Sequence, residues 1–170
     1  SNVAVKTKGL IIGVSYAQSI AHATVDVQAN VVVNAAGNVA IASDVDNTMA
    51  SAVKVVSGFH PIIAAKFKRL VPGPAIGVAY GEANSNATTT IAAGAQIFGD
   101  SVSLSASDTN DFNVVTKAKI KGIKVPNLGN AFAVALSFVE SDANVNVNGS
   151  VTARETDITI DASSIDLNND

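Results

Sequence analysis

The chain has 170 residues, enough for one ordinary domain with a buried core. Hydrophobic residues make up 48% of it, but only 5% is aromatic and there is no Trp or Cys, which excludes a disulfide framework and a thiolate metal site and favours β-branched ladders over a core of Leu and Phe. A net charge of −3 gives no general attraction for nucleic acid, and no apolar run approaches the length of a membrane span.

The opening "VAVKTKG" reads as the interior of a repeat, so a segment of a longer protein is expected. The next phrase, "IIGVSYAQSIAHAT" at 11–24, alternates two kinds of residue with a period of two, which means a strand. One face is small: Gly13, Ser15, Ala17, Ser19, Ala21 and Ala23. The other begins large and apolar with Ile12, Val14 and Tyr16, then turns polar with His22, Thr24 and Asp26. The phrase returns as "AIGVAYGEANSNAT" at 75–88 and "AFAVALSFVESDAN" at 131–144. A strand of this kind is covered on both sides over its first half, the small face by a second sheet at close approach.

A second phrase follows in each copy: "NVAIASDVDN", then "SVSLSASDTN", then "DITIDASSID". Turn letters bound it, "AAGN", "FGDS" and "VNGS" before it, and the Asp/Asn-rich "SDVDN", "SDTND" and "SSIDLNND" after it. Offsets of 64 and then 56 residues superpose the copies, giving repeats over about 10–74, 75–129 and 130–170 within one repeat domain, 1–170. Equivalent strands are expected to stack in register, with Val14, Val78 and Val134 as one inward ladder and Val39, Val102 and Ile158 as another. The predicted fold class is all-β, a β-solenoid or parallel β-helix-like stack of three degenerate repeats. A β-sandwich of duplicated hairpins is the alternative.

Basic connectors separate the copies. "HPIIAAKFKRLV" places Ile63, Phe67 and Leu70 on one side at helical spacing after Pro61, whereas "KAKIKGIKVP" alternates like a strand. The large half-face (Ile12, Val14, Tyr16, Ile76, Val78, Tyr80, Phe132, Val134, Leu136 and Phe138) is expected to be covered by these connectors, and beyond them by a neighbouring repeat or a second protomer. On that reading, replacing Phe132 or Phe138 costs on the order of 2–4 kcal/mol per buried ring.

The residues offer little chemistry. His22 and His60, the only histidines, fall at non-equivalent repeat positions. No G-x-S-x-G phrase selects a nucleophile and no Gly-rich phosphate loop is present. The weak calcium candidates are Asp44, Asp46, Asp108 and Asp111, with Asp44, Asp46 and Asn47 read as stacked over Asp108, Asn110 and Asp111 in consecutive turns and Ser164 and Asp166 near the third level. The plainer expectation is that they cap turns and discourage edge pairing, with no metal or other cofactor. "NAT" at Asn86 and "NGS" at Asn148 are expected by chance in so Asn- and Ser-rich a chain.

Charge is partitioned. No Asp or Glu lies in 1–14, 52–81 or 114–139, while Lys6, Lys8, Lys54, Lys66, Lys68, Arg69, Lys117, Lys119, Lys121 and Lys124 all lie in the connectors or the strands beside them. Stacked, they form a basic stripe with an acidic edge opposite. It reads first as a solvated edge, and second as a stripe for an anionic polysaccharide or for the acidic edge of another protomer. Aromatic residues are too scarce among the lysines for nucleic acid.

The order of alternating Ala/Val strand, short Gly turn and N-V-x-I-x-A-S-D resembles the degenerate repeats of giant bacterial secreted adhesins, over Ile12–Asn47, Ile76–Asn110 and Phe132–Asp166. These are the filamentous-haemagglutinin-like and autotransporter-passenger proteins, including leukotoxin-type filamentous adhesins. The chain departs from them in its connectors, which are basic and carry Pro61, Pro72, Pro74 and Pro126. The resemblance implies a secreted or cell-surface bacterial protein with a non-catalytic structural or adhesive role. Two alternatives are a self-assembling extracellular filament subunit and a carbohydrate-binding or carbohydrate-active β-helix. The latter would need carboxylates converging in a cleft.

Overall fold

A computed structural model of the chain describes residues 1–9, 12–58, 74–121 and 131–168, which form ten strands and no helix. In chain order these are β1 (Asn2–Gly9), β2 (Ile12–Val27), β3 (Val32–Asn34), β4 (Val39–Gly58), β5 (Ala75–Ile91), β6 (Gln96–Gly99), β7 (Val102–Lys121), β8 (Ala131–Val147), β9 (Ser150–Ala153) and β10 (Ile158–Asn168). They make three parallel sheets: an outbound sheet β2-β5-β8, a short sheet β3-β6-β9, and a return sheet β1-β4-β7-β10. Each coil runs out along the first, turns through the second and comes back along the third. This is a flattened parallel solenoid with three rungs, and β1 lies beneath the first of them.

The small letters explain why the two long sheets close on one another. Across the slab Ser15 Oγ lies 2.9 Å from Ser51 Oγ, and Ser19 Oγ lies 2.5 Å from Asn47 Oδ1. Side chains that reach each other at this range leave no room for anything larger at the glycines between them. A Cβ on Gly77 would come within 2.7 Å of the Thr116 methyl, and one on Gly81 within 2.6 Å of Met49 Cε.

The interior changes character along its length. At the end where the three sheets meet, Ile91, Ala95, Ile97, Val102 and Leu104 form an apolar cluster. Fully burying each of the larger side chains there stabilises by about 1.5–3 kcal/mol. The middle is lined by Ser, Asn and Asp, and the far half returns to apolar packing of Met49, Val53, Val55, Phe112 and the alanines of the outbound strands. The tight corner before the short sheet needs left-handed backbone. Asn30 and Gly94, equivalent in consecutive rungs, supply it with φ of 65° and 84°.

Equivalent residues do stack: Val14 pairs with Val78 and Val78 with Val134, while Val39 pairs with Val102 and Val102 with Ile158. The expected direction of the first ladder is wrong. Val14 and Val134 are 59% and 45% exposed and sit on the outer face, whereas Gly13, Ser15, Ala17 and Ser19 are the buried ones. The small face needed a neighbouring sheet and found one, so the large face was turned out.

The Asp-rich phrases also differ from expectation. They are not turns: "SDVDN" lies inside β4 and "SDTND" inside β7, each a 20-residue strand. The turns before these strands are where predicted for the first two rungs, between β3 and β4 and between β6 and β7, whereas "VNGS" lies between β8 and β9. The strand character of "KAKIK" holds, because β7 runs to Lys121. The "HPIIAAKFKRLV" connector lies outside the described residues.

Candidate functional site

Three features could carry function: a polar ladder inside the slab, a charged face and an apolar face outside it. The ladder is built from consecutive return strands. Asn47 Nδ2 donates to Asn110 Oδ1 at 2.9 Å, and Asn110 Nδ2 donates to Asp166 Oδ1 at 3.2 Å and to Ser85 Oγ at 2.6 Å. Ser85 Oγ donates in turn to Asp108 Oδ2 at 2.8 Å, and the backbone N–H of Asp142 reaches the same oxygen at 3.2 Å. Asn47, Ser85, Asp108 and Asn110 are all buried. Buried amides bonded to one another are a structural cross-tie, since each group would cost free energy if left unpaired. Among the described residues, Asp108 Oδ1 is the buried side-chain oxygen without a partner.

This ladder redistributes the four calcium candidates. Asp108 points inward, while Asp44, Asp46 and Asp111 lie on the outer face of the return sheet. Asp44 pairs with Ser107 and Asp108 with Val45, so the expected Asp44–Asp108 stack does not form. The β4–β7 register is an offset of 63, one less than the 64 that relates β2 to β5, because the segment from Phe98 to Val102 is a residue shorter than the segment from Asn34 to Val39 with which it is paired at both ends. In a strand one residue exchanges the two faces. No group of three or more Asp, Glu or His side chains converges among the described residues.

The outer face of the return sheet has two charged zones. Toward the short sheet it carries Asp44, Asp46, Asp111 and Asp161; toward the opposite end it carries Lys6, Lys8, Lys54, Lys117 and Lys119. Lys8, Lys54 and Lys117 are direct cross-strand neighbours in three consecutive strands. Like charges so placed repel, by an amount reduced through their exposure. The structure therefore brings part of the predicted basic stripe together. Lys121 follows at the end of β7, and Lys66, Lys68, Arg69 and Lys124 lie outside the described residues. Arg154 lies beside the short sheet, its Nε 3.8 Å from Asp100 Oδ1, and donates to the carbonyl of Ala35.

The outer face of the outbound sheet is apolar over its first half and polar over the second. Tyr16 stacks on Tyr80 with ring centroids 5.4 Å apart, and Tyr80 packs against Phe138 at 5.5 Å. Tyr16 Oη donates to Glu82 at 3.4 Å. Partial desolvation beside its neighbours, then the charge of Glu82 and this hydrogen bond, raise the Tyr16 hydroxyl above its ordinary value of 10.0. A shallow depression beside the rings is lined by Glu82, Asn84, Phe138 and Glu140, and Asn84 Nδ2 donates to Glu140 at 2.9 Å. His22 is exposed on the polar half of this face, and His60 lies outside the described residues.

Sequence reasoning missed the ladder. Its signal was present: Asn47 and Asn110 fall at the offset of 63 that also relates Val39 to Val102. No protein-family model, curated protein or solved structure matches this chain.

Proposed function

We propose that the chain is a non-catalytic structural segment of a large secreted or cell-surface bacterial protein, adhesin-like in kind. The observation that carries this reading is the unbroken parallel register. Each outbound strand pairs with the next from Ile12 through Val27 and from Ala75 through Ile91. Such a stack extends in one dimension and specifies only its inner faces, leaving both outer faces to serve as contact surfaces. The resemblance to filamentous-haemagglutinin-like repeats points the same way. Neighbouring repeats of the same protein are the expected partners.

The test is a solid-phase adhesion assay, in which epithelial cells or extracellular-matrix proteins are offered to surfaces coated with the chain. The same preparations are scored for hydrolysis of a panel of polysaccharides. Retention without turnover supports the reading. Turnover lost on Glu82→Gln or Glu140→Gln would replace it with a carbohydrate-active β-helix.

One observation favours a second reading, a filament subunit. Among the described residues, the large apolar side chains left exposed fall between Ile12 and Val32 or between Phe132 and Leu167, and none belongs to the central rung. What is open is therefore the two ends of the stack, whose edge strands β2 and β8 each present one unpaired side. Head-to-tail growth would appear as sedimentation coefficients that keep rising with concentration, and as fibres by negative-stain microscopy.

A further inference from the structure

We propose that the outer face of the return sheet is a contact surface for a second copy of this chain, packed face to face about a two-fold axis parallel to the stacking direction. This face would take a second copy whether or not the chain is adhesive. It starts from the division of this face into an acidic and a basic half. A two-fold axis along the stack reverses strand direction in the facing copy while keeping each strand opposite its own equivalent. The acidic half of one copy then covers the basic half of the other.

The zones are spaced for this. On β4, Asp46 and Lys54 lie four residues either side of Ala50, so an axis through Ala50 brings Lys54 over Asp46 of the second copy, and Asp46 over its Lys54. The centre of the face is small or uncharged: Thr48, Ala50, Ala52 and Asn113 let two sheets approach to the usual ~10 Å. Four strands at ~4.8 Å by up to 20 residues at ~3.3 Å offer roughly 1,000 Å² per copy. A stable interface needs about 800 Å² on each side.

Charge complementarity also selects this occupant over an anionic polymer. A polyanion running along the strands would meet Asp44, Asp46 and Asp111 after leaving the lysines. One crossing the strands would find the Lys8–Lys54–Lys117 row only about 10 Å long, two strand spacings. A second copy meets neither obstacle.

Sedimentation velocity on the 170-residue chain at low salt is the test, with Lys54→Glu, Asp46→Lys and the double variant carrying both. The parent should dimerise, and added salt should weaken the dimer. Each single reversal sets two like-charged pairs face to face and should raise the dissociation constant about tenfold or more. The double variant restores opposite charges in both pairs and should return to within about threefold of the parent. Thermal melts by circular dichroism confirm that each variant is folded. A parent that stays monomeric at low salt overturns the proposal. So do single reversals that dimerise like the parent, or a double variant no better than the singles. Association through the stack ends or the apolar face would ignore the swap and respond to Phe132→Ser or Phe138→Ser. Dextran sulfate binding that Lys54→Glu abolishes, with no dimer in the parent, would assign the lysines to a polyanion instead.

Discussion

Replacing Asn110 by Ala tests whether the polar ladder holds the rungs together. The side chain is fully buried and makes three hydrogen bonds, accepting from Asn47 and donating to Ser85 and Asp166. At about 1 kcal/mol net for each bond, their loss removes about 3 kcal/mol. The amide of Asn47 is left buried with one partner fewer, which adds a desolvation penalty of about 1–2 kcal/mol. A total of about 4–5 kcal/mol corresponds to a fall in melting temperature of roughly 8–20 °C for a chain of this size. Asp166→Ala is the internal control, because it ends the same ladder at an exposed position and should cost under about 1 kcal/mol. Circular dichroism melts give the totals. Hydrogen exchange localises them, and protection should fall first in β5 and β7. If the two variants melt within about 2 °C of each other, the ladder contributes nothing beyond filling space, and the reasoning is wrong.

Gly77→Ala should cost about 1–3 kcal/mol by denaturant titration, because the Thr116 methyl it meets at 2.7 Å is held by a 2.9 Å hydrogen bond from the Thr116 hydroxyl to the Val134 carbonyl. Gly37→Ala, with nothing within 4 Å, should be neutral. In a spectrophotometric titration of the two tyrosines, Tyr16 should ionise above its ordinary value of 10.0, and Glu82→Gln should lower it only part of the way, since desolvation is the larger cause. The raised value makes its stabilising share complete below the unfolded pKa and lost as pH climbs through the folded one. Exhaustive chelation should move the melting temperature by no more than a degree or two, and a larger loss restored by Ca²⁺ would reinstate the Asp positions. Phe132→Ser and Phe138→Ser should each change monomer stability by under about 1 kcal/mol, well below the cost expected of buried rings, since they are 56% and 57% exposed.

The fold class was legible because side-chain period and repeat offset both survive divergence. Alternation marks strands whatever the letters, and Val39, Val102 and Ile158 kept their β-branched character at equivalent positions. The inside of the slab was also legible, in the run Gly13, Ser15, Ala17 and Ser19, had smallness been weighted above apolarity. Two things misled. Asp and Asn prefer turns in general, yet a strand accommodates them when they face solvent, as Asp44 and Asp46 do, or when they join a bonded network, as Asn110 does. Nor does one offset hold along the whole copy. Val39 on Val102 is an offset of 63 and Asp44 on Asp108 is one of 64, and a single strand cannot satisfy both. Nothing local in the sequence announces a turn shortened by one residue, yet that residue decides which carboxylate is buried.

The ladder also answers a problem that small-faced strands create. Faces of Ala, Ser and Val carry little shape information, and a parallel stack of them can slip by two residues while keeping every small side chain inside. Asn110 cannot slip. Two residues either way from Asn47, β4 presents Val45 or Met49, and Asn110 and Asn47 would both lose their amide partner in a buried site. At about 1–3 kcal/mol for each stranded group, one such pair outweighs the indifference of the surrounding alanines and serines. The same register aligns the exterior, since a slip of two would set Lys54 beside Val115 or Lys119 instead of Lys117. The charged zones on the return sheet therefore inherit their alignment from amides buried on its opposite face.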